Sequence, residues 1–338
     1  MTLRPAEADR SALASAEQFR REIAEPCRPV ILRGAIADWP MAQAAAQGHD
    51  ALIAYLTGFA AQTEIGAFVG APAIAGRYHY SDDLSGFNFT RETMPLAAAL
   101  DRIGRTAGQP GAPSIYAGSL PTNAFLPGLA AANPLAAVPA GVAPRLWIGH
   151  GSTVACHYDT LDNIACVVAG QRRFTLYPPE AIGDLYVGPI DHTMAGQPVS
   201  LAADSAPGDP RYPRFERWRE QAIVADLGPG DALYLPKLWW HRVEATAPLN
   251  LLINYWWDAF PTGPDQPFAT LLLAMAAIAE RPLPERRAWQ AWFDHYAFRP
   301  DRHPLDHLPP ERHGILAAIP GNLATLRAHA MRMLRGGR

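Results

Sequence analysis

Between residues 144 and 258, glycine and proline turns cut the chain into short runs of strand character, at 145–150, 155–159, 163–169, 172–177, 222–227, 231–235, 241–245 and 249–257. None is long enough for an ordinary helix, and most are rich in apolar and aromatic residues. Short strands that follow one another without intervening helices cannot build a parallel α/β sheet. They predict an all-β barrel or jelly roll, in which strand pairing hides the edges. The stretch 178–221 stands apart, being long and rich in Pro, Gly and Asp. A loop of that length inside a compact domain is functional or carries small elements of its own.

With 338 residues, the chain has room for one large domain with flanking helices, or for two small ones. Hydrophobic residues make up 49% and charged residues 18%, so the chain can bury a core, and global disorder is excluded. The formal net charge of −3 gives no basic excess to drive nonspecific nucleic-acid binding. Every basic residue except Lys237 is arginine. Any task that needs a lysine therefore falls to Lys237 or is done by arginine, and the bias predicts a GC-rich, bacterial coding source. Cys27, Cys156 and Cys166 form no CxxC pair, which argues against a disulfide framework or zinc knuckle and for a reducing compartment. The first residues lack an apolar core, so no signal peptide is expected. The longest nearly apolar run, 268–279, is too short to span a bilayer. The expectation is a soluble cytoplasmic protein with no membrane association.

The flanks read differently from the strand-rich centre. Ser15 and Gln18 fit a capping box opening a helix to about Glu25, residues 29–34 read as a short buried strand, and 50–59 and 94–103 have helical periodicity. Residues 114–118 read as one more strand. After 264, Trp289, Trp292, Phe293 and Tyr296 share one helix face, and Leu323, Leu326, Ala330, Met333 and Leu334 share another in a last helix opened by Asn322. The predicted organisation is an N-terminal α/β segment over 1–110 that packs on the core, a mainly β core over 111–260 and a helical extension over 261–338. A helix stripe must be buried against something, so the extension is expected to make a homodimer.

The chemistry concentrates in Gly151-Ser-Thr-Val-Ala-Cys-His157-Tyr-Asp159. In a strand, residues i and i+2 share a face, so His157 and Asp159 can converge on one ion. His241, on a later strand run that follows Gly228-Pro-Gly-Asp231, is the candidate third ligand. Two histidines and one carboxylate are the donor set of non-heme Fe(II) oxygenases, which leaves positions open for a 2-oxo acid and O2. Rival sets are weaker. His303 and His307 flank Pro304 and read as surface loop, His150 and His192 have no spaced partner, and no HExxH is present.

These motifs, with Asn163, Gly170-Gln-Arg-Arg-Phe-Thr-Leu-Tyr-Pro-Pro179, Trp239-Trp240-His241 and Asn254-Tyr-Trp256, resemble the cupin-like JmjC family. The likeness is to the branch around the asparaginyl hydroxylase called factor inhibiting hypoxia-inducible factor. It covers about 114–258, and the segments 29–34 and 37–40 resemble the family's N-terminal part. The resemblance implies a double-stranded β-helix core, Fe(II) held by His157, Asp159 and His241, and 2-oxoglutarate as co-substrate. It further places Tyr116, Asn163 and Asn254 near 2-oxoglutarate or the metal, Thr153 at a family threonine before the ligand pair, and Trp256 as an aromatic flanking the site. Where the family has a lysine that meets the distal carboxylate of 2-oxoglutarate, this chain has Arg172, which keeps the charge with a longer, planar group. Lys237 is expected at a strand end facing solvent.

The function so implied is an Fe(II)- and 2-oxoglutarate-dependent hydroxylase acting on a protein side chain, with a small molecule or a tRNA base as other substrates. Two other classes stay open: a catalytically inactive cupin-like binding module, and a metal isomerase or a dioxygenase that uses no 2-oxo acid.

Overall fold

The structure, a computed structural model, describes residues 3–79, 81, 85–190, 196–317 and 319–336; His192 lies outside the described residues. Fourteen strands are assigned among these, in chain order β1 (Ala6–Ala8), β2 (Val30–Leu32), β3 (Glu64–Gly70), β4 (Arg77–Tyr78), β5 (Thr90–Pro95), β6 (Ser114–Pro121), β7 (Arg145–Gly149), β8 (Ser152–His157), β9 (Asp162–Ala169), β10 (Arg172–Tyr177), β11 (Ile223–Leu227), β12 (Ala232–Leu235), β13 (Trp240–Ala245) and β14 (Asn250–Trp257). The chain divides into two compact units, Met1–Ala259 and Phe260–Arg338.

In the first unit the strands form a nine-stranded sheet in the order β1-β2-β12-β9-β14-β7-β6-β3-β5 and a five-stranded sheet in the order β11-β10-β13-β8-β4. From β7 to β10 successive strands alternate between the two sheets, and they alternate again from β11 to β14. That alternation winds the chain into a jelly-roll, cupin-type core. The inner faces meet in a cluster drawn from both sheets, including Ala165, Val167, Leu233 and Leu252 from the larger and Phe174, Leu176, Ala225 and Val243 from the smaller. β9 is buried along its whole length, as a strand covered on both faces must be.

The N-terminal segment adds β1, β2, β3 and β5 to the larger sheet and β4 to the smaller. β2 pairs with β12, and β3 pairs with both β5 and β6. Leu96, Ala99, Leu100 and Ile103 are the buried face of the helix Leu96–Thr106, at helical spacing. This helix begins two residues later than its periodicity suggests, because Thr90–Pro95 is a strand, which the sequence reading missed. Ser15 caps its helix as expected, accepting from the Gln18 N–H at 3.1 Å. The long stretch 178–221 carries small elements of its own, Pro179–Asp184, Pro213–Phe215 and Glu216–Glu220. They are tied together by Asp184, which accepts from Arg214 at 2.9 Å, from the Trp218 indole at 2.9 Å and from Arg217.

The second unit is helical, with helices Pro267–Ile278, Leu283–Phe293 and Pro320–Leu334. The last is capped by Ile319, not Asn322. The Asn322 amide instead donates to Gly314 O and Ala317 O, each at 3.0 Å. His303, expected as a free surface residue, is half-buried and stacked on His313 with ring centroids 4.5 Å apart. Among the described residues no helix is long and apolar enough to cross a membrane.

Candidate active site

Antiparallel register sets one row of the site. On the smaller sheet Leu176 of β10 lies opposite His241 of β13, which lies opposite His157 of β8. Asp159 does not sit on this strand. β8 ends at His157, so the carboxylate reaches the row from the turn that follows, not by the strand alternation that the spacing suggested. That turn is held where Leu238, with φ +69°, donates its N–H to Asp159 O at 2.8 Å. One ligand atom from each of His157, Asp159 and His241 lies within 4.8 Å of the others, and His241 Nε2 stands 3.8 Å from Asp159 Oδ2.

The two rings are oriented for metal binding. His157 Nδ1 is 2.8 Å from Ala155 O, and His241 Nδ1 is 3.0 Å from Trp239 O. A carbonyl can only accept, so each Nδ1 carries a proton, and Nε2 is the ring nitrogen left to face a metal. Burial, then the neighbouring His157, pulls the His241 pKa down to about 4 against the opposing pull of Asp159. The imidazole is therefore neutral at ordinary pH, as a metal ligand must be.

The row four residues along β10 holds the other end of the site. There Arg172 lies opposite Ala245, which lies opposite Ser152. Arg172 is 4% exposed, and its Nε has no hydrogen-bond partner. Burial lowers the guanidinium pKa, while the adjacent Tyr116 phenol raises it. Burial also pushes the Tyr116 phenol up to about 12, so it stays protonated. A buried cation with only a neutral neighbour is costly unless an anion meets it.

Between the two ends runs a polar chain on the larger sheet. The Trp147 indole N–H donates to Asn254 Oδ1 at 2.6 Å, and the Asn254 amide donates to Asn163 Oδ1 at 3.1 Å. These residues, with Tyr116, Arg172, Trp256 and the candidate ligand triad, line a single cavity of about 1030 Å³ of empty space, part of it open to solvent. Trp256 meets Trp147 edge-on with centroids 5.7 Å apart, and its indole N–H has no acceptor among the described residues.

Thr153 does not join them. It faces Glu244 across the sheet and is absent from the cavity wall, where Val154 takes the inward position. Its place one residue upstream of the family threonine turns the side chain to the outer face. Lys237 is not solvent-facing: it is half-buried, with Nζ 2.5 Å from Asp258 and 3.3 Å from Asp162. Sequence reasoning missed Phe68, Tyr78 and Phe89, which wall the cavity beside Tyr116, and Gln197 and Val199. Phe68 sits on β3, Tyr78 on the two-residue edge strand β4 and Phe89 just before β5; their only signal is aromatic density between 68 and 89. Val199 arrives because the long loop returns to bridge His157.

Comparison with known proteins agrees with this architecture. The human bifunctional peptidase and (3S)-lysyl hydroxylase JMJD7 is 26% identical over 269 residues, covering 71% of this chain and 80% of that protein. HSPB1-associated protein 1 from Bos taurus is 31% identical over 156 residues, 44% of this chain and 31% of that protein. The lysine-specific demethylase JMJ31 of Arabidopsis thaliana is 35% identical over 103 residues, 30% of this chain and 18% of that protein. The family model described as "Cupin-like domain" matches residues 15–263, a span that holds every strand from β2 to β14 and every residue of the candidate site, and the chain belongs to this cupin-like JmjC family.

Proposed function

We propose that the protein is an Fe(II)- and 2-oxoglutarate-dependent dioxygenase that hydroxylates a protein side chain. The observation that carries this reading is the pairing, in one cavity, of a convergent His157–Asp159–His241 set with a buried Arg172 that no carboxylate meets among the described residues. The two rows are separated by four residues of β10, about 13 Å along a strand. Part of that distance is taken up by the arginine side chain. The remainder suits a small dicarboxylate that binds a metal at one end and a cation at the other, and not a monocarboxylate.

The residues fit the groups they would hold. His157 and His241 offer Nε2 lone pairs, and Asp159 offers a negative charge that partly offsets a divalent ion while leaving it Lewis-acidic. When bound, Fe(II) supplies O2 activation coupled to oxidative decarboxylation of 2-oxoglutarate to succinate and CO2, with one oxygen atom delivered to a substrate C–H bond. Arg172 and the protonated Tyr116 receive the distal carboxylate. Asn163, oriented by Asn254, which is itself held by Trp147, meets polar atoms of the co-substrate. The aromatic walls of Phe68, Tyr78, Phe89 and Trp256 exclude water that would otherwise compete for the reacting centre.

A protein substrate is favoured because the name of the JMJD7 relative describes a lysyl hydroxylase. We assign the β core over 111–260 to catalysis, the segment 1–110 to packing on that core, and 261–338 to homodimerisation in a cytoplasmic, bacterial setting. For the dimer, Leu271, Leu273, Trp289, Trp292, Leu326 and Met333 lie exposed on the helices of that unit. The test is succinate formation from 2-oxoglutarate with Fe(II) and ascorbate, followed by a mass-spectrometric search of lysate proteins for a gain of one oxygen. Failure of 2-oxoglutarate to bind the metal-loaded protein would overturn this reading in favour of a binding module or an oxygenase without a 2-oxo acid.

A further inference from the structure

Six arginines among the described residues are buried or half-buried: Arg33, Arg102, Arg145, Arg172, Arg219 and Arg242. Four of them meet a carboxylate: Arg33 meets Asp231 and Glu7, Arg102 meets Glu92, Arg219 meets Glu216, and Arg242 meets Asp204 and Glu244. Among the described residues no carboxylate meets the other two, Arg172, inside the cavity, and Arg145.

Arg145 opens β7 and lies opposite Asn254 of β14. Its guanidinium rides 5.7 Å from the centroid of the Trp256 ring, which lines the cavity. Only neutral groups hold it: Nε donates to Ser119 Oγ at 2.7 Å, and Nη2 donates to Ser119 O at 3.0 Å. Ser119 has φ +57° at the irregularity where β6 slips against β7 between Ala117 and Leu120, a backbone conformation that costs a non-glycine residue free energy. Among the described residues Arg145 donates to Ser119 alone, and the buried indole N–H of Trp256 finds no acceptor. A fixed cation with free donors thus stands directly beside two residues of the cavity wall, Trp256 and Asn254.

We infer that Arg145 is a specificity-determining residue that reads a carboxylate on the substrate, so that the protein hydroxylated is recognised through an acidic residue flanking the target side chain. This deepens the reading of the site as a protein hydroxylase and rests on it. A planar guanidinium held by its Nε edge against a serine presents its other edge to a carboxylate, the acceptor it fits best. An acidic peptide is favoured over a nucleic acid because one guanidinium supplies a single contact. A polyanion would need several basic groups, and the net charge of −3 gives no excess of them.

The test is equilibrium binding to the full chain loaded with Mn(II) and 2-oxoglutarate under argon, read by fluorescence anisotropy. The probes are three labelled pools of fifteen-residue peptides with randomised centres, flanked by Asp/Glu, by Asn/Gln or by Lys/Arg, together with a single-stranded RNA of the same length. The acidic pool should bind at least about fivefold tighter than the amide pool, with the preference shrinking as salt rises. Arg145→Gln should bring the ratio to about one, and Arg145→Lys should restore part of it. Arg145→Glu should reverse the preference toward the Lys/Arg pool, a gain that misfolding cannot produce. No preference in the parent protein, an unchanged ratio in Arg145→Gln, or RNA binding tighter than any peptide pool would each overturn the proposal. Succinate formation by the parent protein, measured separately, distinguishes the two failures. Turnover without peptide discrimination sinks this inference alone, and discrimination without 2-oxoglutarate binding sinks the hydroxylase reading.

Discussion

Replacing Arg172 by methionine should make the ligand-free protein more stable and much less responsive to 2-oxoglutarate. The side chain is 4% exposed and, among the described residues, has an unpartnered Nε and the phenol of Tyr116 as its polar neighbour. Exchanging a poorly compensated buried cation for an apolar group of similar shape gains about 1–4 kcal/mol, or roughly 2–4 °C per kcal/mol for a domain of this size. Losing a charge-assisted contact to the co-substrate costs about 1.5–3 kcal/mol, which raises its Kd by one to two orders of magnitude. At a 2-oxoglutarate concentration of about one hundred times the parent Kd, ligand binding stabilises the parent by about 2.7 kcal/mol. The same concentration should stabilise Arg172→Met by only about 0.4–1.4 kcal/mol. Thermal melts of the Mn(II)-loaded proteins, with and without 2-oxoglutarate, read both effects at once. Arg172→Lys should recover part of the ligand shift, since the charge returns on a shorter stem. A full 2-oxoglutarate shift in Arg172→Met would show that the distal carboxylate is anchored elsewhere, or that the co-substrate is not 2-oxoglutarate.

His157→Ala or Asp159→Ala should abolish Fe(II)-dependent succinate formation while circular dichroism stays that of the parent; retained turnover in either would remove the triad from the mechanism. The metal-free protein should lose stability in acid. His241 has a folded pKa of about 4 against 6.5 unfolded, so the unfolded chain takes up the proton first, and stability present above about pH 6.5 drains away as pH falls toward 4. The loss is on the order of 3 kcal/mol, and urea titrations should show a shallower pH slope for His241→Gln; equal slopes would refute the assignment. Light scattering at micromolar concentration should give twice the chain mass, and changing Trp289 and Trp292 together to Ser should shift it to the monomer; a monomeric parent would count against the dimer.

The strands of the core were legible because each is short, apolar and bounded by Gly or Pro. All eight runs between 144 and 258 correspond to β7–β14, with shifts of a few residues at their ends. The edge elements were not. β4 has two residues, too few for a period to register, yet it brings Tyr78 to the cavity wall. Spacing alone also could not say that β8 stops at His157. The sequence pattern puts two donors on one face whether the second lies on the strand or just past it, and the turn around Leu238 decides which. Thr153 shows the opposite failure. Its identity matched a family position, but a displacement of one residue in a strand reverses the face, and chemistry follows the face. Arg145 carried no motif at all. Its isolation emerges only when the partners of every other enclosed arginine are known.

The single lysine of the chain explains why arginine stands at 172 without weakening the fold elsewhere. Lys237 Nζ reaches Asp258 and Asp162, at 2.5 and 3.3 Å. Asp162 is buried, and it also accepts from the Tyr234 hydroxyl at 2.9 Å and the Ala259 N–H at 3.0 Å. This cluster pins the start of β9, the end of β12 and the end of β14 at the lip next to the candidate ligands. A compact ammonium on a flexible stem can serve two carboxylates approaching from different directions, whereas the planar fork of arginine prefers one carboxylate held edge-on. The demands at position 172 are the reverse: a single small anion, an enclosed site, and a charge that must persist when buried, which the high intrinsic pKa of arginine secures. In a chain whose other basic residues are all arginine, lysine is kept where geometry calls for a point charge, and arginine takes the place where a carboxylate is to be gripped.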